Sequence, residues 1–251
     1  MTVTYVGMGY IYYDGGEPPE IQPPIPAHIT GDIIFAGCIN TVGVTITTSS
    51  TGWTKLAENL DNFGWTWFWK RATSSGTAAP VISSTFPNLY GWCFVYRGCA
   101  SGTPYEDATL GDEFNTLDID TETITTTDKN RLVVAVALIE NNGSLTGAPP
   151  IGWTLDDYKR TSQGSDASIA IISKSIPTAS TVSAVEIATI PAIQYHCVLT
   201  FALIPASTVK INIGDTWQDL VAMKINIGDS WKDVSSIKQN IGDNWKDVYE
   251  K

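Results

Sequence analysis

The chain has 251 residues, of which 43% are hydrophobic, 10% aromatic and 16% charged, and its formal net charge is −11. This composition excludes intrinsic disorder, which needs low hydrophobicity and a high charge fraction. An acidic chain whose longest basic runs are the pairs Lys70-Arg71 and Lys159-Arg160 also argues against nucleic acid or anionic lipid as a partner.

Thr, Ser, Val, Ile, Gly and aromatic residues dominate, which suits pleated, half-buried strands better than helices. At the N-terminus, residues 2–6 (TVTYV) alternate like a strand. No basic segment followed by an apolar one precedes them, so the opening does not read as a secretory signal. Residues 14–27 (DGGEPPEIQPPIPA) must be extended loop, because Pro cannot donate to a ladder. From Gly31 short apolar runs alternate with turn signals: DIIFAGCI (32–39), VGVTITT (42–48), GWTWFWKRA (64–72), GWCFVYRG (91–98), RLVVAVALI (131–139), SIAIISKSI (168–176) and YHCVLTFALI (195–204). None approaches the roughly 18 apolar residues of a membrane-crossing helix, so no membrane insertion is expected. The spacing predicts an all-β sandwich, jelly-roll-like, over residues 1–206.

The body repeats internally. Gly52-Trp53-Thr54 recurs as Gly152-Trp153-Thr154, Phe68-Trp69-Lys70 as Ile172-Ser173-Lys174, and Trp92-Cys93 aligns with His196-Cys197. We therefore divide the body into related halves, 1–128 and 129–206, and expect them to share one core, since small β units bury too little surface alone.

Residues 207–251 hold three 14-residue units: KINIGDTWQDLVAM, KINIGDSWKDVSSI and KQNIGDNWKDVYEK. Ile-Asn-Ile alternation running into Gly-Asp, then a Trp-led segment, predicts a short β-hairpin per unit, with a helical Asp-capped alternative for DSWKDV. Fourteen residues cannot bury a core. Trp217, Trp231 and Trp245 are thus expected to contact sister repeats, the body or another subunit. A homo-oligomer follows, with a trimer favoured.

Chemistry is sparsely provided for. The four Cys (38, 93, 99, 197) lack CxxC spacing and are expected as free thiols in a reducing compartment. His196 and Cys197 are adjacent, so in a strand they point to opposite faces and form no nucleophile–base pair. We find no motif for a nucleotide, a hydrolase triad or a zinc site, and expect no cofactor and no catalytic residue. Two constellations remain as candidates. Asp118, Asp120 and Glu122 alternate in LDIDTET and would share one strand face, as a Ca²⁺ ligand set, a glycosidase carboxylate or a solvated edge. Trp65, Trp67 and Trp69 also alternate; they would form either a sugar-stacking platform or core, and the aligned Ile169, Ile171 and Ser173 favour core. Tyr105 and the aromatics of GYIYY (9–13) are competing ligand contacts.

The succession GDIIFAGCI, GWTKLAE, FWKRAT and WCFVYRGCASGTPYED resembles a family of bacteriophage-encoded virion proteins, and the tail resembles the Ile-x-Gly-x-Trp-Lys-x-Val repeats at the ends of phage tail and fibre proteins. The chain departs from the pattern at Thr51, where Pro usually precedes Gly-Trp-Thr, and at Ala202-Leu203-Ile204, where the second half lacks Tyr-Arg-Gly. The resemblance implies a non-enzymatic structural protein of a tailed-phage virion, assembled in the host cytoplasm. It would be a tail or fibre component contacting other virion proteins, with a host surface glycan as candidate ligand. Capsid decoration or a head fibre is the first alternative, a polysaccharide depolymerase the second.

Overall fold

The computed structural model describes residues 2–13, 20–40, 44–60, 64–85, 89–113, 118–140, 149–160, 167–189 and 196–206, together with the strand backbones of the C-terminal repeats. The fold is all-β, as the alternation of β-branched and aromatic residues requires. In the first half the strands are β1 (Thr4–Tyr13), β2 (Glu20–Ile21), β3 (Ile33–Asn40), β4 (Ile46–Thr48), β5 (Thr54–Asn59), β6 (Gly64–Arg71), β7 (Ile82–Ser84) and β8 (Leu89–Arg97). They form a five-stranded antiparallel sheet, β1-β8-β3-β6-β5, and a three-stranded sheet, β2-β7-β4. The second half contributes β9 (Tyr105–Glu113), β10 (Asp118–Asp120), β11 (Ile124–Thr125), β12 (Arg131–Glu140), β13 (Thr154–Arg160), β14 (Ala167–Ile176), β15 (Thr181–Val182), β16 (Glu186–Thr189) and β17 (His196–Leu203). Its large sheet runs β9-β17-β12-β14-β13, the same order strand for strand, with the small pairs β10-β16 and β11-β15 beside it.

The two large sheets stack face to face. Their inner faces supply one cluster in which Phe35, Trp65, Trp67 and Phe94 meet Val134, Ile169, Ile171, Leu199 and Phe201. Phe35 and Phe201, from opposite sheets, lie 4.8 Å apart between ring centroids. Each large sheet buries its outer face as well. In the first half Ile34, Ala36, Cys38, Cys93 and Val95 pack on Ile21, Ile46 and Ile82 of the small sheet. In the second, Val133, Ala135, Ile172 and Val198 pack on Ile119, Ile124, Val182 and Ile187. The central strands β3 and β12 are thus buried on both faces, which is why IIFAGCI and LVVAVALI read as continuous apolar runs rather than alternating ones.

Register corrects two expectations about the halves. The boundary does not fall at residue 128: β9 pairs with β17, so the second half starts between Arg97 and Tyr105. An acidic edge strand, YEDATLGDE, carries too weak an apolar pattern to be seen from sequence. The Cys match is also a coincidence. Phe35 pairs with Phe94, and the equivalent Val134 pairs with Phe201, so β8 and β17 align Phe94 on Phe201. Cys93 then faces the outer core and Cys197 the inner one. All four Cys are buried and none is in a disulfide.

The Gly-Trp-Thr correspondence survives in detail. Gly52 and Gly152 take φ of 79° and 83°, a left-handed turn conformation that favours Gly. Lys70 Nζ and Lys174 Nζ each lie 5.9 Å from the ring centroid of Trp53 and Trp153 respectively. Both following strands carry a bulge, between Lys55 and Ala57 in β5 and between Leu155 and Asp157 in β13. Edge strands β1 and β9 show register shifts too, so all four edges of the large sheets are irregular and poor templates for a further strand. If the two Lys–Trp corners are one device used twice, Lys70→Met and Lys174→Met each cost about 0.5–1 kcal/mol and their effects add. Urea midpoints of the two single variants and the double variant check this.

In the tail, β18 (Lys210–Ile213) pairs with β19 (Thr216–Asp219), β20 (Lys224–Ile227) with β21 (Ser230–Asp233) and β22 (Ser236–Ile241) with β23 (Asn244–Glu250), all antiparallel. Each 14-residue unit therefore holds a hairpin, not the helical alternative. The side chains of Trp217, Trp231 and Trp245, which carry the expected contacts, lie outside the described residues.

Candidate functional site

The motifs that carried the family resemblance meet in space, and their polar groups hold the body together. Asp32, of Gly-Asp, is 1% exposed and accepts a bidentate pair from Arg97, of Tyr-Arg-Gly: Nε to Oδ1 at 2.9 Å and Nη2 to Oδ2 at 2.8 Å. Its Oδ2 also accepts the Ile29 amide at 2.9 Å. Arg71 donates to the carbonyls of Gly31, Ala100 and Gly102, tying β6 to the segment that joins the halves. In the second half the charges are exchanged. Asn130 occupies the left-handed position of Gly31 with φ of 61°, and Arg131 takes the place of Asp32. Its Nη2 donates to Glu106 Oε2 of β9 at 3.0 Å. Burial pushes the Glu106 carboxyl up, but Arg131 and Thr127 outweigh it and hold it below its usual value.

At one corner of the stacked sheets, β1 crosses β13 and builds a polar seam. Tyr5 Oη donates to Asp157 Oδ2 at 2.8 Å, and Tyr96 Oη donates to Asp156 Oδ2 at 2.9 Å. Ser173 Oγ donates to Asp156 Oδ1 at 3.0 Å, and Lys159 Nζ lies 3.2 Å from Asp157 Oδ1. The β13 bulge turns two successive carboxylates to the same side, where regular pleating would separate them. Desolvation raises Asp156 above the usual carboxylate range. It also raises both phenols, with the carboxylates adding to the effect. At the symmetry-related corner Tyr105 replaces Tyr5, Leu203 replaces Tyr96, Leu56 and Ala57 replace the two Asp, and Trp69 replaces Ser173. There Tyr105 meets Trp69 edge-on at 6.1 Å.

The seam makes stability pH-dependent. A phenol whose pKa is raised on folding contributes stability that is complete below the ordinary tyrosine pKa of about 10 and is lost as pH rises above it. Wild type's advantage over the Tyr5→Phe/Tyr96→Phe variant should therefore hold from about pH 9 to 10 and shrink progressively from about pH 10 to 11. Urea midpoints over that range read the difference, and parallel curves for the two proteins would contradict it. Asp156 works in the same sense at acid pH. Its raised pKa contributes stability in acid that disappears as pH rises through the folded-state value.

The sequence-derived candidates fare differently. Trp65 and Trp67 are fully buried between the sheets, and Trp69 is half-buried at the Tyr105 corner. Their ring faces are therefore core, not a platform open to sugars, because β6 lies inside its sheet with its Trp face against the other half. Tyr105 belongs to the same packing, not to an exposed loop. Burial alternates from Asp118 through Glu122, with Ile119 and Thr121 buried between the three less buried carboxylates. β10 ends at Asp120, and the Glu122 amide is held by Thr200 Oγ1 at 2.9 Å. Among the described residues no three His, Cys, Asp or Glu side chains group to hold a metal ion. His196 is buried beside the inner core and Cys197 lies within it. Burial pushes the Cys99 thiol up to about 12, and those of Cys38 and Cys93 higher, the opposite of what a nucleophile needs.

Sequence reasoning missed one surface. Pro149, Leu155, Tyr158, Ala170, Ile172 and Ile187 line a mainly apolar pocket on the second half, and Ile151, two residues after Pro149, is fully exposed. Its signal was available, since Ile151 and Leu155 stand where the first half has Thr51 and Lys55.

Fold and site together define an antiparallel β-sandwich protein of two fused, topologically equivalent halves. No family model, curated protein or solved structure matches the chain.

Proposed function

We propose that this chain is a non-enzymatic structural protein displayed on the surface of a tailed-phage virion, as a tail or fibre component that self-associates through its C-terminal repeats. The body is read as a jelly-roll-like sandwich in which each half has a five-stranded sheet, accompanied by β2-β7-β4 in the first half and by the pairs β10-β16 and β11-β15 in the second. The observation that carries the proposal is what the body does with its polar motif residues. Asp32, Arg71, Arg97, Lys70, Lys174, Asp156 and Asp157 are all engaged in internal contacts that brace strands or join the halves. That is the economy of a rigid display module, followed by repeats that cannot bury a core alone.

The test is placement and binding. Antibody against the chain should decorate purified particles of the encoding virus at the tail, and purified protein should label host cells. Decoration confined to the head, with binding to empty capsids and none to cells, would replace the tail reading by capsid decoration. Release of reducing ends from host polysaccharide by the purified chain would overturn the non-enzymatic reading.

A further inference from the structure

The two halves are spliced at one place. Each half begins beside the point where it ends: Thr4 pairs with Arg97 in the first, and Tyr105 with Leu203 in the second. The connector 98–104 therefore leaves one half and enters the other next to the residues at which the body gives way to the repeats. It is held there from three directions. Toward the C-terminal exit, the Ala100 amide donates to the Ile204 carbonyl at 2.8 Å, the Ile204 amide to the Pro104 carbonyl at 2.8 Å and the Ala206 amide to the Gly98 carbonyl at 2.7 Å, with Cys99 bridged to Pro205. Toward the first strand, Gly98 takes φ of 82° and lies so close to Thr2 that a Cβ would stand 2.7 Å from the Thr2 carbonyl oxygen. From β6, Arg71 donates to the carbonyls of Ala100 and Gly102. Val3 and Cys99 are buried in the inner core beside this braid.

We propose that this junction is a tension clamp that fixes the root of the C-terminal repeats to both halves at once. The inference rests on the reading above, in which the repeats attach the body, and adds how the body withstands a pull through them. The geometry of loading carries it. Residues 204–206 continue the line of β17 and pair antiparallel with the connector, while β17 itself lies between β12 and β9 and is bonded to both along its length. A pull directed away from the body at Ala206 runs along this strand, so its hydrogen bonds are loaded together. Gly98 follows β8 directly, and Arg71 belongs to β6, so the connector passes the tension into the first sheet as well. The repeats are built the opposite way. Each is a two-stranded sheet of consecutive antiparallel strands, which a pull opens bond by bond from its free end, and a lone hairpin is marginally stable. Under tension the hairpins therefore extend first and the body opens last.

The experiment stretches the full chain between handles at position 10, where Tyr10 is 43% exposed, and position 251, in optical tweezers. Wild type should lengthen by the repeats at low force and then hold, with the body opening in a separate event at higher force. Ala206→Pro lacks the amide that bonds Gly98 and should shorten the lifetime of the body under constant load about fivefold, in line with the net worth of one hydrogen bond. Its urea midpoint should be unchanged, because Ala206 is the last residue of the body. Arg71→Met, which releases the connector from β6, should shorten the lifetime under load in the same direction. A body that opens before or together with the repeats would overturn the proposal, and so would Ala206→Pro lifetimes equal to those of wild type. Both readouts come from the isolated chain and so do not depend on its place in a particle. Decoration confined to the head removes the tail reading alone, and a body that opens early removes the clamp alone.

Discussion

Trp67→Ala is expected to lower the unfolding free energy by about 3–5 kcal/mol, the usual cost of truncating a fully buried Trp. Trp67 is 0% exposed and belongs to the cluster shared by both large sheets. It meets Phe94 edge-on at 6.1 Å, and its cross-strand neighbour is Gly37. Gly is required there because a methyl group would overlap the indole ring. Gly37→Ala should therefore destabilise wild type, yet partly refill the cavity in the Trp67→Ala background, reversing the sign of its effect. Since the core is common to both halves, urea unfolding should remain one transition with the midpoint shifted. Two separated transitions, with only the first moved, would show that the halves do not depend on each other.

Tyr96→Phe should cost about 1.5–3 kcal/mol, the range for a hydrogen bond to a charged group. Removing the hydroxyl leaves the Asp156 carboxylate with Ser173 as its hydrogen-bond donor in a desolvated corner. The symmetry-related corner shows the alternative solution, since Leu56 and Leu203 occupy the equivalent positions there. Tyr96→Leu/Asp156→Leu, which copies that corner, should accordingly be far less destabilising than the sum of its single variants, because no charge is left without a partner. The double-mutant cycle measures the difference. Additive single effects would mean that Tyr96 and Asp156 stabilise the fold independently.

The seam also shows where sequence reading stops. Asp156-Asp157 could be noticed as a pair after Gly-Trp-Thr, but nothing local reveals that Tyr5 and Tyr96 cap the two carboxylates from the other half. The two pairs are 152 and 60 residues apart along the chain, and only stacking of the sheets brings them together. The Trp row is the opposite case. Alternation put Trp65, Trp67 and Trp69 on one face, and apolar residues at two of the aligned positions pointed that face inward. Asp118, Asp120 and Glu122 show the limit of that logic: alternation sets them on the less buried side of their segment, yet among the described residues no three carboxylate, His or Cys side chains group to hold a metal ion.

By itself the sequence determined the all-β class, the Gly-Trp-Thr turns of the two halves and the hairpin unit of the tail, because each depends on contacts a few residues apart. The stretch read as loop at 14–27 instead contains strand β2 at Glu20–Ile21, paired with β7, while residues 14–19 lie outside the described residues. Period-two alternation, Pro and Gly are local constraints on the backbone. Tertiary structure alone decided that the halves meet at 98–104 rather than at 128, that Cys93 and Cys197 face different cores, and that the Gly-Asp and Tyr-Arg-Gly motifs form one ion pair. It also left an apolar pocket on the second half where the first has a salt bridge. Those outcomes depend on strand register and on which sheet covers which face. A one-residue slip in register would exchange every inward side chain for an outward one.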